Sequence, residues 1–342
     1  MTAHSYSPAW WIPGAHLQTL WGKFFRRARS APTRRERWST PDDDVIDVDR
    51  LDRPAGSASR VRLVLLHGLE GSGESHYAQG MFAEAARRGW AADLLVFRSC
   101  GGTLNRARRF YHSGETSDLT LVVERLVAEH PDDRLVFAGF SLGANVLLRW
   151  LGERGSATAH AVAAVAVSTP FDLERGSRRI EEGFSRVYGR QFLQSLRVKA
   201  TAKLARYPDL FDGAALDRVR TLYDFDDVVT APIHGFASAH DYYSRASSLP
   251  ILADIDVPTL LLSAVDDPFL PSAVLDEVRR AAAPNPWLTI EFPPRGGHVG
   301  FVAGRVPWRP RYYAEWRAGE FLAEHAASAV PSIGRSGESD DV

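Results

Sequence analysis

The chain has 342 residues, 45% hydrophobic and 24% charged, which is apolar enough for a sizeable core and excludes a disordered or fibrous protein. Its 41 basic and 42 acidic side chains nearly cancel, so no broad positive field draws nucleic acid. A single cysteine, Cys100, excludes an intrachain disulfide framework and a thiolate metal cage.

The sequence has no apolar run of about 18 residues and no positive-then-apolar leader, so a cytoplasmic location without stable membrane insertion is expected. Taken in chain order, residues 16–29 come first. They carry Leu17, Leu20, Trp21, Phe24 and Phe25 at helical spacing, with Lys23, Arg26, Arg27 and Arg29 nearby. This predicts an amphipathic helix within an N-terminal arm, residues 1–36. Its apolar stripe is read as packing against the domain in preference to resting on anionic lipid. Arg34, Arg35 and Arg37 are read as a solvated basic face.

From residue 37 to 327 apolar runs alternate with amphipathic stretches, the pattern of a mostly parallel sheet with helices on both faces. An edge hairpin is expected at 38–40 and 45–51, split by the turn signal Pro41-Asp42-Asp43-Asp44. Strands are predicted at 61–66, 92–97, 134–140, 161–167, 258–263 and 288–292. Helices are predicted at 77–88, 117–130, 142–153, 273–282 and 311–327. One charged, aromatic, helical region, about 171–252, interrupts the alternation and is expected to lie over the strand ends as a cap. Its Phe184, Tyr188, Phe192, Tyr223, Phe225 and Phe236 are candidates to wall an apolar pocket. Residues 328–342 have little to bury and are expected to be disordered.

Gly139-Phe140-Ser141-Leu142-Gly143 fits the G-x-S-x-G pattern. Alone this is weak, since roughly one chain in ten of this length carries it by accident. Here a predicted strand precedes it and a predicted helix follows. That context is what a nucleophilic serine in a tight turn requires, with flanking glycines admitting neighbouring backbone. His67-Gly68-Leu69-Glu70-Gly71 follows another buried strand, where a loop supplies one oxyanion donor. The residue after the serine supplies the other, so the N–H groups of Leu69 and Leu142 are the candidates.

Strand 258–263 runs into Asp266-Asp267-Pro268, and strand 288–292 into Gly296-Gly297-His298. A serine hydroxyl needs an imidazole to take its proton, and the imidazole needs a carboxylate to fix its tautomer. The chain order Ser141, Asp267, His298 supplies all three. Asp267, standing before Pro-Phe-Leu-Pro, is preferred over Asp266, which stays open.

The sequence resembles the YheT-like branch of the α/β-hydrolase fold. The segments that carry the resemblance are Trp11-Ile-Pro-Gly-Ala-His16-Leu-Gln-Thr-Leu-Trp21, residues 67–71, Tyr111-His-Ser-Gly-Glu-Thr-Ser-Asp-Leu119, the serine turn, residues 225–236, Asp241-Tyr-Tyr-Ser-Arg-Ala-Ser247 and Gly296-Gly-His-Val-Gly-Phe301. The departure is Phe97-Arg-Ser-Cys-Gly-Gly-Thr-Leu104, where Cys100 is read as structural. The resemblance implies a serine esterase acting on small esters, lipid-like ones included; the aromatic cap is read as favouring a short to medium acyl chain, and no cofactor or metal is expected. His16, His112 and His234 lack ligand spacing and are read as buried hydrogen-bonding residues. The alternatives are acyl transfer to an alcohol by the same triad, or a non-catalytic binding protein on the same fold.

Overall fold

Eight strands form one sheet in the order β1-β2-β4-β3-β5-β6-β7-β8 in a computed structural model that describes residues 6–26, 31–153 and 155–328. They are β1 (Arg34–Ser39), β2 (Val45–Leu51), β3 (Val61–Leu66), β4 (Ala91–Val96), β5 (Arg134–Phe140), β6 (Ala161–Val167), β7 (Thr259–Leu262) and β8 (Leu288–Glu291). The β1–β2 and β2–β4 pairings are antiparallel and all others in the sheet are parallel. Helices cover both faces, which is why the inner strands read as near-continuous apolar runs. In β3 the period-2 alternation divides the two cores. Leu63 and Leu65 join α2 (His76–Arg87) and the last helix, while Val64 and Leu66 join α3 (Ser117–Glu129) and α4 (Leu142–Glu153).

Between β6 and β7 the chain makes six helices: α5 (Leu173–Arg179), α6 (Arg186–Arg206), α7 (Gly213–Arg218), α8 (Leu222–Phe225), α9 (Ala231–His234) and α10 (Ala239–Ala246). They build two small cores of their own, one around Leu193, Phe211 and Phe225 and one around Leu173, Tyr242 and Tyr243. The cavity they enclose also reaches Leu69 and Ser141 at the ends of β3 and β5. After β7 come α11 (Ser272–Ala282) and β8, then a two-stranded ribbon of β9 (Val302–Ala303) and β10 (Arg311–Tyr312), and α12 (Tyr313–Ser328).

Three expectations need adjusting. The edge hairpin starts at Arg34, so the expected arm boundary at residue 36 falls inside β1. The basic run on β1 is solvent-exposed, as expected, but its cations are paired. Arg35 and Arg37 stand directly opposite Asp49 and Asp47 on β2, and each pairs with its partner at 2.7 Å. The last helix begins two residues later than expected, because Arg311 and Tyr312 pair with Ala303 and Val302. The tail from residue 329 lies outside the described residues.

The N-terminal helix α1 (Ala15–Phe25) is a larger correction. Its buried residues are Gln18 and Gly22, while Leu17, Phe24 and Phe25 of the expected packing stripe are exposed. The cause is what α1 packs against. The segment from His298 to Val302 presents backbone polar groups that need partners. Gln18 takes the Val302 N–H on its Oε1 at 2.8 Å and donates Nε2–H to the Val302 carbonyl, and Thr19 Oγ1 takes the His298 N–H at 2.9 Å. The polar face is therefore the docked face.

Candidate active site

Ser141 stands between β5 and α4 with φ +54°, a conformation a serine adopts only when its surroundings impose it. Its N–H is anchored on the Val167 carbonyl of the neighbouring strand at 2.9 Å. The turn is crowded enough to need its glycines. A Cβ on Gly143 would lie 2.4 Å from the His67 carbonyl oxygen, and one on Gly139 would lie 2.6 Å from that of Gly143.

The structure brings Ser141, His298 and Asp267 together. His298 Nε2 lies 2.9 Å from Ser141 Oγ, and Nδ1 lies 2.9 Å and 3.2 Å from the two Asp267 oxygens. A carboxylate accepts only, so Nδ1 carries the proton and Nε2 is left to accept from the serine hydroxyl. Asp267 is buried, and its Oδ1 also accepts the Phe269 N–H at 2.8 Å. The Phe269 ring stacks on the imidazole at 4.1 Å between centroids. The next N–H along, from Val299, is held by Ser168 Oγ at 2.9 Å. Asp266 faces away from the imidazole and accepts the Gly297 N–H at 2.9 Å. Burial pushes its carboxyl above the usual range, and the Gly297 and Gly296 N–H groups pull it partly back.

Leu69 and Leu142 line the same cavity as Ser141. Their N–H groups donate to no acceptor among the described residues. His67 shapes the loop before Leu69: its Nε2 accepts the Phe97 N–H at 3.0 Å, so Nδ1–H donates to the Gly68 carbonyl at 2.7 Å. Burial holds this ring down at about 4, hence neutral.

The residues that follow Leu69 hold a feature the motifs did not reveal. Glu70, itself at φ +57°, accepts from Tyr111 Oη at 2.9 Å, from Ser195 Oγ and from Lys199 Nζ at 2.6 Å. Ser195 and Lys199 belong to α6, so this cluster clasps the loop after β3 to the inserted helices. The signal was the rarity of lysine, which stands only at 23, 199 and 203. Cys100 lies 3.5 Å from Lys199 Nζ, and burial pushes its thiol up to about 11, so it is no thiolate. Asn145, one turn into α4, donates to the Ser113 and Ala246 carbonyls and accepts the Ser248 N–H, joining the serine's helix to the end of α10.

Of the six aromatics expected to wall the pocket, Phe192 and Phe225 do so. Tyr188 packs on Phe269, Tyr223 and Phe236 pack against Tyr243 and Tyr242, and Phe184 is exposed. The rings of His112 and His234 sit 4.5 Å apart at the cavity, and burial lowers them to about 4 and about 3. His16 is only partly buried and meets Tyr188 Oη at 3.3 Å.

The family model described as "alpha/beta hydrolase fold" matches residues 61–304. The chain belongs to that family. Within it, the chain is 39% identical over 312 residues to the Escherichia coli (strain K12) protein named "Putative esterase YheT", covering 91% of this chain and 90% of that one. This YheT-like hydrolase is also 29% identical over 293 residues to the "Monoacylglycerol lipase" of Saccharomyces cerevisiae, covering 82% of this chain and 62% of the yeast protein. Among solved structures, the Pyrococcus furiosus esterase Pf2001 superposes with a TM-score of 0.57 at 19% identity, covering 86% of this chain and 93% of that one, a likeness of fold. The shared family and this relative make the YheT-like chain a carboxylic ester hydrolase.

Proposed function

We propose that this hydrolase cleaves esters through an acyl-enzyme on Ser141. His298 Nε2 takes the hydroxyl proton as Oγ bonds to the ester carbonyl carbon, and the oxyanion is held by the N–H groups of Leu69 and Leu142. The imidazolium, oriented and stabilised by Asp267, gives its proton to the leaving alkoxide as the C–O bond breaks. Water then repeats the sequence: its proton goes to His298, its oxygen joins the acyl carbon, and collapse releases the carboxylic acid and restores Ser141.

The observation that carries this reading is the unbroken hydrogen-bonded line from Ser141 Oγ through His298 to Asp267, at 2.9 Å per contact. The six inserted helices act as a cap over it. Leu69, Leu173, Ile180, Phe192 and Phe225 make the cavity largely apolar, which suits an acyl chain of short to medium length.

The test is covalent. A fluorophosphonate probe should label the wild-type chain stoichiometrically and leave Ser141→Ala unlabelled and inactive, with an unchanged circular dichroism spectrum. A folded Ser141→Ala that still hydrolyses p-nitrophenyl butyrate at the wild-type rate would refute the assignment.

A further inference from the structure

Nine large apolar side chains are exposed among the described residues, and five of them lie on the N-terminal arm and the β9–β10 loop. Trp10 is 79% exposed and Trp308 76%, with Leu17, Phe24 and Phe25 each more than half exposed. The two segments lie along one another. Trp10 Nε1 donates to the Arg305 carbonyl, Trp11 Nε1 donates to that of Gly304, and the rings of Trp11, Trp21 and Phe25 follow in contact. Two more of the nine, Phe184 and Val187, flank the start of α6, where the His16 ring meets Phe184 and Tyr188. From there Tyr188 packs on Phe269, which stacks on His298. The apolar surface thus borders the site.

Its charge is one-sided. None of the 42 acidic residues falls in 1–35 or in 292–314. Lys23, Arg305, Arg309 and Arg311 are exposed on these segments and have no carboxylate partner among the described residues. Arg26, Arg34 and Arg35 are the exceptions, paired with Glu315, Asp52 and Asp49. The near-neutral total therefore hides a local cationic and aromatic surface.

We propose that this face docks on an anionic phospholipid bilayer. Tryptophan and phenylalanine settle at the headgroup boundary, and each nearby lysine or arginine adds attraction to an anionic leaflet. A second copy is a poorer occupant, because a two-fold contact would set cations against cations. Docking so places the rim between α1 and α6 at the membrane, and an ester dissolved in the bilayer reaches the site without crossing water. The surface is independent of the acyl-enzyme chemistry, and the test keeps the two apart.

The experiment is co-sedimentation of the full chain with vesicles of phosphatidylcholine alone and of phosphatidylcholine with one-third phosphatidylglycerol, at low and physiological salt. Binding is expected on the anionic vesicles, weaker at higher salt, and equal for Ser141→Ala. The double variants Trp10→Ser/Trp308→Ser and Arg305→Glu/Arg309→Glu should each weaken it at least about tenfold while turning over soluble p-nitrophenyl acetate normally. Absence of binding to anionic vesicles at low salt overturns the proposal, as does binding indifferent to both variants. A dimer in sedimentation velocity that Trp10→Ser/Trp308→Ser dissolves would give the face to a second copy and overturn it equally.

Discussion

At the scale of single residues, the neighbours Asp266 and Asp267 show how one position divides two tasks. Asp267 meets the imidazole, while Asp266 braces the Gly297 N–H of the loop that carries it. Asn at 267 would present an amide N–H to Nδ1 or force the proton to Nε2, where it blocks acceptance from Ser141. Turnover by Asp267→Asn should fall on the order of 10⁴-fold. Asp266→Asn keeps an oxygen for Gly297 and should lose less than about tenfold, the cost of one weakened hydrogen bond. Steady-state kinetics on one soluble ester decides it, and the reverse ranking would exchange their roles. The sequence could suggest this order but not prove it, because two adjacent carboxylates at a strand end differ only in where their side chains point. Ser141 and His298 were legible because backbone geometry demands glycines around them. Glu70, Ser195 and Lys199 were not, since their meeting depends on how a 21-residue helix lies over the sheet.

At the scale of elements, the strands and their helices were readable because burial on both faces writes continuous apolar runs, whereas α1 was misread for a physical reason. Periodicity says which residues are apolar, not which face a neighbour needs, and here the neighbour needed hydrogen bonds. Thr19→Val keeps the shape but leaves the His298 N–H without its acceptor. Turnover should drop roughly tenfold, within the ~1–3 kcal/mol of an unsatisfied buried donor, and Thr19→Ser should restore it. A Val variant with normal turnover but a lowered melting temperature would make Thr19 purely structural. The inserted helices carry a second expectation. Each acyl methylene buried in their cavity should raise kcat/KM by about fourfold, from ~0.8 kcal/mol apiece, until the chain meets the end wall. A p-nitrophenyl series from about two to sixteen carbons, held below micelle formation, should therefore rise over the first few carbons and then fall. A profile still climbing at the longest ester would mean an open cleft.

Across the whole molecule, buried histidines should set the acid limit of stability. His67, His76 and His112 are lowered to about 4 and His234 to about 3, all mainly by burial and the last also by His112. Unfolded, each would titrate near 6.5, so between that value and about 4 the unfolded chain takes up protons that the folded chain refuses. Stability is therefore full above pH 6.5 and lost as the pH falls. Asp226 opposes the trend. Burial raises its carboxyl to about 6 even though Thr230 and Tyr243 donate to it, so over the same window the folded chain keeps one proton the unfolded chain releases. Four protons against one leave about three, or at most roughly 4 kcal/mol per pH unit. Against a typical total of about 5–15 kcal/mol, a slope of that size takes about one to four pH units to exhaust the fold. Urea midpoints measured from pH 7.5 to 4.5 should decline steeply from about pH 6, and His76→Gln, against Gly22 of α1, should flatten the slope by about 1.4 kcal/mol per unit. For Asp226→Asn the sign reverses: removing the buried carboxylate should raise stability at pH 7.5 relative to wild type, with the advantage fading toward pH 5. Midpoints that stay level down to pH 5 would mean that these rings take up protons in place, with water or a local opening to receive the charge.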